Sequence, residues 1–265
     1  MAAYISFQPS DFYNGVTYVG DGTAIGSGGK TVTGVGFEPG FTWIKQTDAT
    51  DNHILTDSVR GATKYVNSDR DNAEATNAES LTSWNADGFV LGNHAAVNGS
   101  SDEFIAWNWK AGSTASGATT GSGTAKTYTA HYNTTSGFSI VKYTGNGTTG
   151  HTIPHHLGAA PQAMFVKDLA SNNWNCYQIE MTAAYILRLN LTTSIANENN
   201  RFQGTPTSTV FSLGDDAHTN GNDKDYIAYL WTPIRGYSSI GAYTGNENND
   251  GNFVYTGFRP AYVML

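Results

Sequence analysis

Apolar residues in this chain come in short runs broken by Gly, Asn and Asp, and several of the runs alternate with polar residues. In EFIAWNW (103–109), Trp107 and Trp109 fall on one face of a strand, and in DYIAYLW (225–231) Tyr229 and Trp231 do the same. Short strands between tight turns predict an all-β protein built of antiparallel sandwiches, with these bulky positions pointing inward. Helix signals are few. Residues 69–81 have the composition of a short helix, but their apolar stripe is thin and a loop is an equal reading.

The pattern repeats. TYVGDG (17–22), KYTGNG (142–147) and AYTGNE (242–247) are three copies of one opening, each a strand running into a turn. Each is followed by a second shared segment: GFEPGFTWIK (36–45), LGAAPQAMFVK (157–167) and GFRPAYVML (257–265). Proline stands at each strand entrance, where its missing N–H costs no ladder bond. The first two copies also share FVLG (89–92) with FSLG (211–214), EFIAWNW with DYIAYLW, and Asn98-Gly99 with Asn220-Gly221, always 122 residues apart.

A register held across strands and turns marks duplicated units. The predicted organisation is an N-terminal segment 1–15, a first sandwich 16–112, a Gly/Ser/Thr-rich linker or hairpin 113–136, a second sandwich 137–236, and the start of an incomplete third repeat, 237–265. A hairpin as short as 237–265 is not stable alone. Completing the second sandwich, pairing with another chain and continuing into a further unit are its possible fates.

Composition sharpens this picture. Only 39% of residues are apolar and 14% charged, and 30 Gly, 33 Thr and 24 Asn fill the gap, which favours turns and strands. The 12% of aromatics is too high for a disordered tract. A net charge of −8 repels phosphate backbones and anionic membranes, so nucleic acid is not an expected partner. Cys176 stands alone and predicts a buried thiol with no disulfide. The N-terminus MAAYISFQPSDF has no basic region before an apolar stretch, and nowhere do 18 apolar residues run together, so neither a secretion signal nor membrane insertion is expected.

Few motifs carry chemistry. GNGTTG (145–150) spells a dinucleotide fingerprint, yet HTIPHHL (151–157) follows it and cannot open the helix a phosphate needs, so it reads as a turn. His151, His155 and His156 lie close in sequence, but a strand sends the last two to opposite faces and zinc is not expected. The run DDAHTNGNDKD (215–225) is the densest set of oxygen donors. It reads first as a solvated hairpin turn. A glycan or calcium contact is the alternative, with Asp216, Asn220, Asp223, Asp225 and an exposed Trp174 as ligand-binding candidates, and Asp215, Asp223 and Asp225 as calcium candidates. No nucleophile elbow and no strand-borne carboxylate set occurs, so no catalytic residue and no cofactor beyond calcium are expected.

The segments VGFEPGFTWIK (35–45), HILTDSVRG (53–61), LTSWNADGFVLG (81–92), FIAWNWK (104–110), YTGNG (143–147) and FVYTGFRP (253–260) resemble repeat-bearing tail-fibre and virion structural proteins of marine tailed bacteriophages. That resemblance implies concanavalin-like, jelly-roll units similar to laminin G domains. It also implies a non-enzymatic virion component, in a tail fibre or a capsid fibre or decoration, assembled in the host cytoplasm and released by lysis. Its expected partners are other virion proteins, further copies of itself, a trimer by analogy, and a host-surface glycan. A carbohydrate-binding module of a bacterial cell-surface or secreted protein is the alternative.

Overall fold

The computed structural model describes residues 5–265. The N-terminal segment makes a 3₁₀ turn at Pro9–Asp11, and the first strand, β1 (Tyr13–Val19), begins inside the predicted 1–15 segment. There follow β2 (Lys30–Val32), β3 (Phe41–Gln46), β4 (Ile54–Asp57), β5 (Lys64–Tyr65), β6 (Ala75–Thr76), β7 (Leu81–Asn85) and β8 (Gly88–Leu91). A single helical turn, α1 (Ala95–Asn98), leads into β9 (Glu103–Trp109). The candidate helix at 69–81 is absent; those residues form a loop that carries β6.

The first unit is two antiparallel sheets, β1-β9-β3-β4 and β2-β8-β7. Between them lie Val32, Val35, Phe37, Ile44, Ile54, Leu81, Phe89, Leu91, Phe104 and Ala106. Each large apolar side chain taken out of water there is worth about 1.5–3 kcal/mol.

Of the two readings of the 113–136 segment, the linker is corrected and a hairpin is what forms. It is built into the second unit as β10 (Ser113–Ala118), β11 (Thr120–Gly121) and β12 (Thr127–Asn133). Its small residues suit an exposed edge strand: β10 is almost wholly solvent-facing, while β12 buries Tyr128 and Ala130. The chain continues through β13 (Phe138–Thr144), β14 (His151–Pro154), β15 (Ala163–Asp168), β16 (Asn175–Gln178), β17 (Tyr185–Ile186), β18 (Ala196–Asn197), β19 (Val210–Leu213), α2 (Ala217–Asn220) and β20 (Asp225–Trp231). The second unit pairs the sheets β10-β12-β13-β20-β15-β16 and β11-β14-β19 around Tyr143, Ile153, Met164, Val166, Phe211, Leu213, Tyr226 and Leu230. β3, β8, α1 and β9 recur 122 residues later as β15, β19, α2 and β20.

A third core joins the two units. Phe41, Trp43, Leu55 and Trp109 from the first pack against Phe138, Ile140, Trp174, Cys176, Ile227 and Tyr229 from the second. Phe41 stacks on Tyr229 with ring centroids 4.3 Å apart. The two larger sheets therefore lie back to back, and each smaller sheet covers an outer face. Trp107, Trp109, Tyr229 and Trp231 point into this joint between sandwiches, not into a sandwich interior as their alternation had suggested. The physical reason is that the middle sheets are covered on both faces, so DYIAYLW is buried along nearly its whole length.

The joint is also polar. The Arg60 guanidinium meets the Asp57 carboxylate at 2.5 Å, and Tyr229 Oη donates to the same carboxylate at 2.7 Å. Burial alone would lower the Arg60 pKa, but Asp57, Tyr229 and Glu74 outweigh it and the guanidinium is held charged. Residues 67–74 of the first unit lie along 167–174 of the second: Trp174 Nε1 donates to Asn67 O at 2.8 Å and Glu74 N to Leu169 O at 2.9 Å.

Residues 239–265 contain no strand and make no backbone-to-backbone hydrogen bond among the described residues. Among the described residues Tyr262 alone anchors them to aromatic neighbours, resting 5.6 Å from Tyr13 and 5.7 Å from Trp109 by ring centroid.

Candidate functional site

The feature that the repeat preserves most closely is a loop clamped onto a helical turn. In the first unit, the turn after β1 docks on α1: Gly20 N donates to Asp102 O at 2.8 Å and Gly22 N to Asn98 O at 3.0 Å. The buried Asn98 side chain accepts from Asp21 N at 2.9 Å and donates to Gly92 O at 2.9 Å. Tyr18 Oη reaches Val97 O at 2.7 Å. In the second unit Gly145 N meets Lys224 O at 2.8 Å, Gly147 N meets Asn220 O at 2.7 Å, and Tyr143 Oη meets Thr219 O at 2.7 Å. Asn220 Oδ1 accepts from Asn146 N at 2.9 Å, while its Nδ2 donates to Thr148 O at 3.0 Å and Gly214 O at 2.5 Å. A Cβ at Gly20 or Gly145 would overlap the carbonyl of Gly99 or Gly221, so both positions require glycine.

The second clamp carries an imidazole the first lacks. His151 Nδ1 lies 2.8 Å from Asn220 Oδ1, and its Nε2 lies 2.6 Å from Thr119 Oγ1. Because Asn220 Nδ2 is committed to two carbonyls, Oδ1 is the acceptor, so Nδ1 carries the proton and Nε2 accepts from Thr119. Burial and then nearby Lys126 lower the His151 pKa against the bond to Asn220, which keeps the ring neutral. GNGTTG is thus the clamp turn, and His151 begins a strand, not a helix. His155 turns to Thr207 O at 3.1 Å, and His156 stacks between Tyr128 and Tyr132, so the three imidazoles do not converge.

The remaining candidates are dispersed in the same way. Asp216 caps α2 by accepting from His218 N at 2.8 Å and pairs with Arg201 at 2.8 Å. Asp223 is exposed, at a positive φ of 59°, and pairs with Lys126 at 2.5 Å. Asp225 takes Lys142 at 2.9 Å and Thr144 Oγ1 at 2.8 Å. Burial opposes ionisation at Asp225, but these two partners hold its carboxyl below the usual range. Asp215 is exposed on the turn before them. Among the described residues no group of three His, Cys, Asp or Glu side chains could hold a metal ion.

Two further expectations are corrected. Trp174 is fully buried, because its indole fills the joint and donates to Asn67 O of the first unit. Asn220 is equally buried and spends its whole amide on the clamp. Neither offers a face to a sugar. Cys176 is buried as expected, and burial pushes its thiol up to about 12. No helix is long and apolar enough to cross a membrane among the described residues.

The tail 237–265, expected as the start of an incomplete third repeat, is largely exposed. In the segment 252–265, at a constant 221-residue offset from the first copy, Phe253 is 88% exposed where Val32 is 4% exposed, and Leu265 is 95% exposed where Ile44 is 1% exposed.

Paired antiparallel sandwiches, fused through a shared core and ending in an unpaired copy of their own first strands, define an all-β repeat protein. The chain belongs to the family described as Domain of unknown function (DUF7483), whose model matches residues 8–265 and so runs across both sandwiches and the tail. No curated protein and no solved structure matches it.

Proposed function

We propose that the protein is a non-enzymatic structural component of a tailed-bacteriophage virion, in a tail fibre or a capsid fibre or decoration, that works by assembling with further copies and other virion proteins. The observation that carries this reading is the exposed tail. The same sequence pattern is core in the first two copies, whereas here Phe253, Tyr255, Val263 and Leu265 stand in solvent, each more than half exposed. Several large apolar side chains exposed in one segment are the mark of an interaction surface. The buried ion pair and aromatic stacking at the joint support a rigid building block, and the virion assignment rests on the motif resemblance.

Immunogold labelling of particles produced from a genome encoding this chain tests the location, and light scattering with negative-stain imaging tests assembly. Labelled particles and a defined oligomer or rod are the expected results. Unlabelled particles overturn the virion assignment, and a monomer at every concentration overturns the assembly role.

A further inference from the structure

The two units differ at one edge. Gly20 N bonds Asp102 O and Lys110 N bonds Phe12 O, so the even-numbered residues of β1 face β9. The backbone groups of Gly15, Thr17 and Val19 then point away from the sheet and have no backbone partner among the described residues. In the second unit the corresponding strand is β13, 125 residues on. Its outward residues, Ile140 and Lys142, are met by His131 and Thr129 of β12 in an antiparallel ladder. The molecule thus shows what this edge accepts: an added antiparallel strand, here TYTAHYN (127–133), rich in Thr and ring-bearing residues.

Among the described residues the first unit has no such strand, and the edge of β1 is left long and bare. Val19 is 54% exposed there, more than any other large hydrophobic before the tail. A cleft of about 370 Å³ lies beside it, lined by Thr17, Tyr18, Val19, Thr47, Glu103 and Phe104. Unprotected edges of this kind are templates for strand addition.

The same chain holds a segment that lacks a sheet. Residues 252–256 (NFVYT) are rich in strand formers, make no backbone-to-backbone hydrogen bond, and carry the most exposed aromatics of the tail, Phe253 at 88% and Tyr255 at 81%. Unmade backbone bonds and exposed aromatics in this stretch, and an open edge on β1 with unmade backbone bonds of its own, are complementary.

We propose that residues 252–256 of one copy add as an antiparallel strand to the open edge of β1 in a second copy. This rests on the assembly role argued above and gives it a contact. Backbone bonds to Gly15, Thr17 and Val19 supply affinity, and Phe253 and Tyr255 cover Val19 and the neighbouring cleft. Donor and acceptor are different surfaces, so the contact is heterologous, and repetition gives a ring if the rotation closes and a filament if it does not.

Two variants of the 265-residue chain test this. Thr17→Pro removes an N–H that makes no bond to β9 and blocks the acceptor edge, since proline is tolerated at such outward positions. Phe253→Asp with Tyr255→Asp disables the donor in a segment that no core depends on. The wild type is expected to gain mass with concentration in multi-angle light scattering, and each variant to stay at 28.4 kDa. An equimolar mixture of the two variants is expected to form a dimer of twice that mass and to stop there, because only one donor and one acceptor survive. Circular dichroism of each variant confirms the fold. Oligomers that persist in both variants overturn the strand-addition contact while leaving assembly intact. A monomeric wild type overturns both. Two variants that stay monomeric when mixed also overturn the contact.

Discussion

Residues 31–44 and 252–265 carry the same pattern and meet opposite fates. In the first, Phe37 and Phe41 lie under the sheets at 3% and 0% exposure; in the second, their counterparts Phe258 and Tyr262 are half-covered and Phe253 is bare. Even the backbone agrees locally, since Gly36 and Gly257 share positive φ values of 85° and 83°. What differs is what is available to pair. β2 and β3 are held by β8 and β9, strands that come some sixty residues later in the chain, and none of the described residues plays that part for the tail. Local pattern gives a segment the capacity to be a strand, and non-local pairing decides whether it becomes one.

The largest expected effect breaks this comparison at matched positions. Phe41→Ala empties a site that stacks on Trp109, Phe138 and Tyr229 and should cost about 3–5 kcal/mol. Phe253→Ala should change the unfolding free energy by less than about 0.5 kcal/mol, as surface substitutions do. Urea denaturation followed by tryptophan fluorescence, at a concentration low enough to keep the chain monomeric, measures both. Equal costs would mean that the tail is packed in solution and that the contrast is not one of pairing.

Much of this was legible in the sequence, and the rest was not for identifiable reasons. The 122-residue offset placed β3 with β15, β8 with β19 and β9 with β20 because the strands and their turns were copied together. The helical turns α1 and α2 stayed hidden behind Asn98-Gly99 and Asn220-Gly221, being too short to show a period. The facing of Trp107 and Trp109 was misjudged because alternation tells two faces apart without saying what covers each. One clue was available: DYIAYLW has scarcely a polar residue after Asp225, the mark of a strand covered on both sides. Trp174 was misplaced because its burial depends on the other unit docking over its indole, which no local window contains. The candidate site dissolved for a related cause. Asp216, Asn220, Asp223 and Asp225 form a dense acidic and amide run whose members turn to separate sets of partners.

The two clamps offer a finer comparison. Asn220→Ala leaves Asn146 N–H, His151 Nδ1, Thr148 O and Gly214 O without their partner and should cost about 3 kcal/mol. Asn98→Ala strands fewer groups, Asp21 N–H and Gly92 O among them, and should cost about 2 kcal/mol. Thermal unfolding of the pair checks the order, and a costlier Asn98→Ala would show that His151 adds nothing to the second clamp.

Acid should weaken the second unit through its buried imidazoles. Burial lowers the His155 pKa from 6.5 to about 4, against the bond to Thr207 O and with help from His156. Between those values the unfolded chain binds the proton and the folded chain does not, so stability falls as pH drops from 6.5 toward 4. At pH 5 the loss from this one group is about 2 kcal/mol. His155→Gln should flatten the dependence of the melting temperature on pH between 7 and 5. An unchanged slope would show that His155 titrates normally in the folded protein.

The smallest effect compares all three copies at once. Tyr18, Tyr143 and Tyr243 occupy one position of the repeated opening. The first two hydroxyls end on carbonyls of the clamped helical turns, Val97 O and Thr219 O, each at 2.7 Å, and burial raises both phenol pKa values. Tyr243 is 55% exposed, with no helical turn beneath it. Tyr18→Phe and Tyr143→Phe should each cost about 1 kcal/mol, the worth of a hydrogen bond whose carbonyl partner is left buried, and Tyr243→Phe should cost nothing measurable. Because the three changes delete the same atom from the same motif, sequence context cancels and only the clamp remains as a variable. Chemical denaturation in dilute solution should return two equal losses and one null. A loss at Tyr243 as large as the others would mean that the third opening has found a clamp of its own, and at that dilution only within its own chain.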